Sequence, residues 1–311
     1  MQVKTIEKVI ITKMEEFLKT ITDETLRKDV KDNLLVTGGC ISSMFLGEPV
    51  NDFDLYLMDI DVVRRVALYY TQSVSEVIIL DGRRKKELCD EYNNDMLHID
   101  GVLPIDRNNS YAISLRNLKE DQIKLYFKGA KGSMKVNEEL LKEKPELADS
   151  YIPVHLSPNA ISLSNQIQIV LRFWGNAATI HGTFDFIHAT NYFTFSEGLV
   201  RNLPAVESIL TKQLKYQGSH YPVTSIIRAK KFVKRGFNIG AGELLKIMFQ
   251  ISKLDLENPD VLEEQLIGVD VAYFDAIITA LRNKMDSDKD FKLTNEYFNA
   301  LIDKIFNENQ E

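Results

Sequence analysis

The chain has 311 residues, of which 44% are hydrophobic and 27% charged, and its formal net charge is −7. This length supports a sizeable core and two domains, and the ordinary globular balance excludes a low-complexity or disordered chain. The acidic total excludes a protein that binds nucleic acid over its whole surface, so any polyanion site must be a local basic patch.

Residues 3–32 carry apolar side chains at helical spacing, with Ile6, Val9, Ile10, Met14, Phe17, Leu18 and Ile21 on one side, and Thr22-Asp23 starts a second turn or helix. Leu34–Val36 is a short apolar strand stopped by Gly38 and Gly39. Helical spacing over 41–46 ends at Gly47-Glu48-Pro49, and 54–58 alternates as a second strand. A helix over 60–71 and a third strand over 76–80 complete a mixed α/β succession. Residues 81–150 read as an insertion or lid on this head. They hold a basic run, Arg83 to Lys86, an acidic stretch over 89–95 and a polar helix over 137–149 broken near Pro145. The basic run is either a solvated loop or a contact to phosphates. Strands follow over 160–164 and 166–173, then a short helix or turn over 176–181 and an alternating strand over 184–193. From Asn202 the pattern is helical, with segments over 204–214, 225–239, 242–253, 273–284 and 294–307. The expected division is a head over 1–200, with the insertion at about 81–150, and a helical region over 201–311.

Asp52 and Asp54 lie two apart, so on an extended strand both carboxylates leave the same face. Their mutual repulsion calls for a cation, and Mg²⁺ is the hard ion that joins carboxylates to substrate phosphates. Upstream, Gly38 and Gly39 open a helix whose N-terminus offers free N–H groups, and Ser42 and Ser43 add hydroxyls on its first turn. Each feature alone is commonly a turn or a strand flank; together they suit in-line attack on a nucleoside triphosphate with metal ions holding the entering and leaving oxygens. Asp185, flanked by Phe184 and Phe186, must face water, cap a group or bind an ion. His181 is the better placed histidine for a substrate contact, whereas His188 reads as core. Cys40 reads as a small helix-start residue, and Cys40 with Cys89 provides neither a disulfide framework nor a zinc pattern. Arg228, Lys230, Lys231, Lys234 and Arg235 place five cations within eight residues of one amphipathic helix. That density in an acidic chain suits phosphate contact, the alternative being a solvated face. Ile226, Ile227, Ala229, Phe232 and Val233 form the expected buried side, and Gly236 ends the helix. No signal peptide pattern or transmembrane-length apolar run is present, so the expectation is a cytoplasmic protein with no membrane partner.

Gly-Gly, an interval of 9–13 residues and Asp-x-Asp is the signature of DNA polymerase β-like nucleotidyltransferases; Gly38-Gly39 and Asp52-Phe53-Asp54 resemble it. The segment GGCISSMFLGEPVNDFDL is most similar to the head of tRNA nucleotidyltransferases (CCA-adding enzymes) and bacterial poly(A) polymerases, which read GGxVRDxLLGxxxxDxD. Ser42-Ser43 replaces the family's Arg-Asp, a departure at the triphosphate contacts, and the chain is read as a divergent, phage-type member. The resemblance implies an α+β fold, with a polymerase β-like head of mixed sheet and flanking helices followed by a helical neck and body. It implies transfer of a nucleoside monophosphate from an NTP, ATP included, to a hydroxyl, releasing pyrophosphate. Asp52 and Asp54 would hold two Mg²⁺ ions, and Gly38, Gly39, Ser42 and Ser43 would receive the phosphates. A third carboxylate of such enzymes stands on a neighbouring strand, and Asp185 is the candidate for metal ligand or base. In a second alignment Asp185-Phe186 matches the D-F of RRDFTINA, a sugar-contacting motif whose arginines are replaced here by Thr183-Phe184. The stretch RAKKFVKRGF resembles the family's neck helix, with Arg228, Ala229, Lys231, Phe232 and Gly236-Phe237 at matching places, and the five cations of that helix, Arg228, Lys230, Lys231, Lys234 and Arg235, are the expected acceptor contacts. Tyr221 to Ser225 replace the base-templating E-D-x-x-R, so ordered C-C-A addition is not expected. An RNA 3′ end is the leading acceptor; a protein or small-molecule hydroxyl and a module that binds RNA or a partner without turnover stay open. The likeness covers about residues 30–80 and 160–245.

Overall fold

The computed structural model describes residues 1–72, 74, 77–84, 102–104, 112–114, 121–127, 133–265, 277, 280, 281, 283–285, 287, 288 and 291–307. Met1–Phe184 and His188–Leu210 form one compact unit, and Asp185–Ile187 with Thr211–Glu311 forms a second.

In the first unit, helices α1 (Val3–Thr20) and α2 (Glu24–Asn33) precede β1 (Leu34–Thr37), α3 (Gly39–Leu46), β2 (Phe53–Leu57) and α4 (Ile60–Thr71). α1 buries Ile6, Ile10, Met14 and Phe17, a single stripe at helical spacing, while Val9 falls off that stripe and is 38% exposed. The Asp23 carboxylate caps α2 by accepting the Leu26 N–H at 2.9 Å. Asp59 caps α4 in the same way. α3 stops at Gly47, whose φ of 69° is left-handed and suits glycine.

The central sheet has eight strands. Their order is β12 (Gly198–Val200), β11 (Tyr192–Thr194), β1, β2, β10 (Ile167–Val170), β9 (Ala160–Leu163), β8 (Pro153–Ser157) and β7 (Met134–Lys135). Only the β2–β10 pairing is parallel within it, so the sheet is mixed. Val36, Phe53, Leu55, Ile161, Leu163, Ile167 and Ile169 pack from the sheet into one core with the apolar sides of the helices. The expected third strand is β3 (Val77–Asp81). It pairs with β6 (Ile123–Phe127) in a ribbon outside this sheet, and β4 (Val102–Pro104) and β5 (Ala112–Ser114) form another. Half of the expected insertion, Cys89 and Lys85-Lys86 included, lies outside the described residues. The polar helix expected at 137–149 is Glu138–Glu143 followed by a 3₁₀ turn over Pro145–Ser150.

The strand expected over 184–193 does not form. Asp185 lies in a bend, Ile187–Ala189 is a 3₁₀ turn, and extended structure begins only at Tyr192. Phe186 is the cause: it is fully buried, edge-on to Tyr216 at 5.7 Å and to Phe232 at 5.9 Å, and draws the backbone into a bridge with Tyr216.

The second unit is helical, with Pro222–Lys234, Ala241–Ile251, Pro259–Gln265 and Asn295–Asn307 and a short β13 (Gln213–Leu214)–β14 (Asn238–Ile239) pair. Leu262, Ile277, Leu281 and Ile305 form its core. Pro222 suits the first turn of its helix, where no backbone N–H is needed, and Gly236 at φ 83° follows the end. The buried side of this helix differs from expectation: Pro222, Thr224, Ser225 and Ala229 are buried, while Ile226 and Val233 are 48% and 47% exposed. The helix expected over 273–284 lies largely outside the described residues. The chain is thus α+β, a mixed sheet with flanking helices and a helical second unit.

Candidate functional site

Gly38 joins β1 to α3 at φ 94° and ψ −151°, a conformation open to glycine, and donates its N–H to Ala189 O at 3.1 Å. A Cβ at Gly38 would stand 2.9 Å from Asp54 Oδ2, whereas one at Gly39 would meet nothing within 4 Å. The turn therefore brings the first N–H groups of α3 beside a carboxylate and leaves open space before Gly39. Asp54 is half-buried on β2, paired with Thr37 of β1. Asp52 immediately precedes β2 and is exposed, and Phe53 between them is buried in the core.

The residues around this turn are held by the 188–191 segment. Thr37 is fully buried; its hydroxyl lies 2.8 Å from Asn191 O and 2.9 Å from His181 Nε2. A hydroxyl has one proton, which the carbonyl accepts, so His181 Nε2–H is the donor to Thr37. Burial pushes the His181 pKa down to about 4, which keeps the ring neutral near pH 7. Ser42 and Ser43 are both buried, and Ser42 Oγ donates to His188 O at 2.8 Å. The Ser42 hydroxyl expected at a phosphate oxygen instead ties α3 to the neighbouring loop. His188 is 1% exposed, a core position. Cys40 donates to Thr37 O at 3.6 Å, and burial, with Asp54 adding to it, pushes its thiol pKa up, so it is not a nucleophile near pH 7.

Sheet register adds residues that sequence reasoning missed. Directly paired residues share a face. Thr37 pairs with Tyr192 and Asp54, Asp54 with Gln168, Gln168 with Ser162, Ser162 with His155 and His155 with Lys135. The neighbouring-strand position beside Asp54 therefore belongs to Gln168, an amide, whose Nε2 donates to Ser162 Oγ at 3.3 Å. Its signal in the sequence is one polar residue between Ile167 and Ile169.

Asp185 is in the second unit. Its Oδ2 is 3.0 Å from Arg228 Nη1, and its Oδ1 accepts the Phe186 N–H at 3.0 Å. Among the described residues no group of three or more His, Cys, Asp or Glu side chains is gathered where it could hold a metal ion. Of the five expected acceptor cations, Arg228 is in this ion pair, and the Arg235 carbonyl accepts from Lys212 Nζ at 3.1 Å. Lys230, Lys231 and Lys234 are exposed. Among the described residues no helix is long and apolar enough to cross a membrane.

A family model described as Gabija anti-defense 2 family protein matches residues 8–212. "Gabija anti-defense 2" of Bacillus phage SPbetaL7 is 22% identical over 208 residues, which cover 63% of this chain and 51% of that protein. The chain thus spans about half the length of this relative. Among solved structures, the Thermotoga maritima CCA-adding enzyme complexed with tRNA is 11% identical. That match covers 99% of this chain and 61% of the other at a TM-score of 0.39. The Bacillus stearothermophilus CCA-adding enzyme in complex with CTP is 10% identical, covering 86% and 51% at a TM-score of 0.34. Since the family match takes in well over half of its residues, including the glycine turn and both strands beside it, the chain belongs to the Gabija anti-defense 2 family.

Proposed function

We propose that this chain is a metal-dependent nucleotidyltransferase that moves a nucleoside monophosphate from an NTP to a hydroxyl, most simply an RNA 3′ end, and that this reaction serves the anti-defense role its family is named for. The observation that carries the reading is the fit of Gly38 against Asp54: a left-handed glycine leaves room for a carboxylate beside a helix N-terminus. Asp52 and Asp54 form a two-carboxylate donor set with open space before Gly39, which fits a hard divalent cation whose other ligands are phosphate oxygens and water. Bound Mg²⁺, one ion or two, would neutralise charge on the triphosphate and on the attacking oxygen. The Gly38 N–H is taken by Ala189 O, so the free N–H groups at the start of α3, from Gly39 on, receive the phosphates, with Thr37 and His181 holding the turn in place. The acceptor hydroxyl oxygen forms a bond to the α-phosphorus, the bond to the β-phosphate oxygen breaks, the hydroxyl proton is released, and pyrophosphate leaves with that bonding pair. Asp185, engaged by Arg228, anchors the basic helix rather than supplying a third ligand.

A protein hydroxyl is the second reading. It is favoured by the exposed apolar side of the Ala241–Ile251 helix, where Leu245, Met248 and Phe249 are 63%, 61% and 64% exposed. The test incubates the chain with Mg²⁺, each NTP labelled at the α-phosphate, total RNA and total protein. Label in RNA that Asp52→Ala and Asp54→Ala each reduce more than about tenfold, without unfolding, supports the first reading. Label in protein supports the second, and no label from any NTP overturns both.

A further inference from the structure

The face of the sheet that carries Asp54 continues away from the glycine turn as an unbroken row of polar side chains. Gln168, Ser162, His155 and Lys135 follow Asp54 in register, one on each of β10, β9, β8 and β7. Their neighbours along the strands, Ile167, Ile169, Ile161, Leu163 and Leu156, are buried in the core on the opposite face. Gln168, Ser162 and His155 are partly exposed, and the Lys135 side chain is 72% exposed. At about 4.8 Å per strand the row reaches about 19 Å from Asp54.

We infer that this row binds the acceptor, a single-stranded RNA 3′ terminus, resting on the transfer reading above. Direction comes from in-line chemistry. The glycine turn lies on the β1 side of Asp54, so a triphosphate cradled there sends its pyrophosphate towards β1. The attacking oxygen must enter from the opposite side of the α-phosphorus, over β10 and Gln168. The chemistry of the row selects the ligand. Burial first, and Lys135 second, lower the pKa of His155, so near pH 7 the row offers an amide, a hydroxyl and a neutral imidazole. Neutral groups at one-strand spacing pair with ribose hydroxyls and with the Watson–Crick edges of unstacked bases, and those edges are occupied by pairing in a duplex. Lys135, paired with Glu138 at 3.1 Å, is the row's one cation and can turn to a phosphate at its outer end.

The experiment measures fluorescence anisotropy of a 5′-labelled single-stranded RNA and of a blunt RNA duplex, with EDTA and without NTP, so that binding is read apart from transfer. The variants are His155→Ala with Ser162→Ala, and separately the exposed Lys135→Glu, each checked by melting. Both should bind the single strand roughly tenfold more weakly than wild type, the loss of two hydrogen bonds or of one charge-assisted bond, with duplex binding unchanged. Equal single-strand affinity in wild type and both variants overturns the inference, as does a wild-type chain that binds no single-stranded RNA. The two readings separate cleanly. RNA binding that depends on the row, in a chain that transfers no nucleotide, sinks the transfer and keeps the row. Transfer to RNA with an unchanged acceptor KM in the variants sinks the row and keeps the transfer.

Discussion

Gly38 and Asp54 share a space that holds only one side chain: the Cβ that Gly38 lacks would lie 2.9 Å from Asp54 Oδ2. Gly38→Ala should therefore lower stability by about 1–3 kcal/mol through its left-handed φ and displace the carboxylate, lowering transfer more than about tenfold. Gly39→Ala, whose new methyl projects into open space, should lower transfer with little change in melting. Urea melts beside initial rates decide this; a Gly39→Ala chain with full activity would remove that glycine from phosphate binding.

His181 should make the fold sensitive to mild acid. Burial lowers its pKa from 6.5 to about 4, so between those values the unfolded chain binds more protons than the folded one. The neutral ring's contribution is complete above about pH 6.5, falls as pH drops towards 4, and does not change further below. His181→Gln keeps an N–H donor for Thr37 without titrating, and should flatten this part of the stability profile. Denaturant midpoints from pH 7 to pH 4 test it, and identical slopes in the two proteins would show that other groups set the dependence.

Asp185 and Arg228 should behave as one unit. Their side chains are 10% and 35% exposed, so the pair is partly desolvated and removing either partner should cost about 1–3 kcal/mol. Asp185→Asn with Arg228→Gln should lose clearly less than the two single variants added together. A metal ligand would behave otherwise: Asp185→Asn would raise the Mg²⁺ concentration needed for transfer, and Arg228→Gln would not reproduce that effect.

The exposed Lys230, Lys231 and Lys234 should set the salt dependence of RNA affinity. Each phosphate contact releases counterions, so changing all three to Glu should flatten the slope of log affinity against log salt by about one unit per lost contact. Stability should change little, because none of the three is buried. Equal slopes would mean a solvated face and would favour a protein acceptor.

The sequence by itself determined the local parts. The glycine pair, the short helix and the following strand are encoded by turn chemistry and apolar spacing over a few residues, and they appear as β1, α3 and β2. The α+β class was legible for the same reason. Pairing at long range was not. That Gln168 stands beside Asp54 depends on β10 joining β2 from more than a hundred residues away, and no local pattern encodes that partner or its register. Phe184 to Phe193 shows the opposite failure: its alternation suggests a strand, yet burying Phe186 between Tyr216 and Phe232 bends the chain at Asp185 and hands its carboxylate to Arg228. Ser42 likewise looks available from its place on a first turn, and only the packing of the 188–191 segment turns its hydroxyl inward. Local propensity chooses the elements, but which polar groups meet is decided by long-range burial, because a buried donor or acceptor must find its partner wherever the fold brings one.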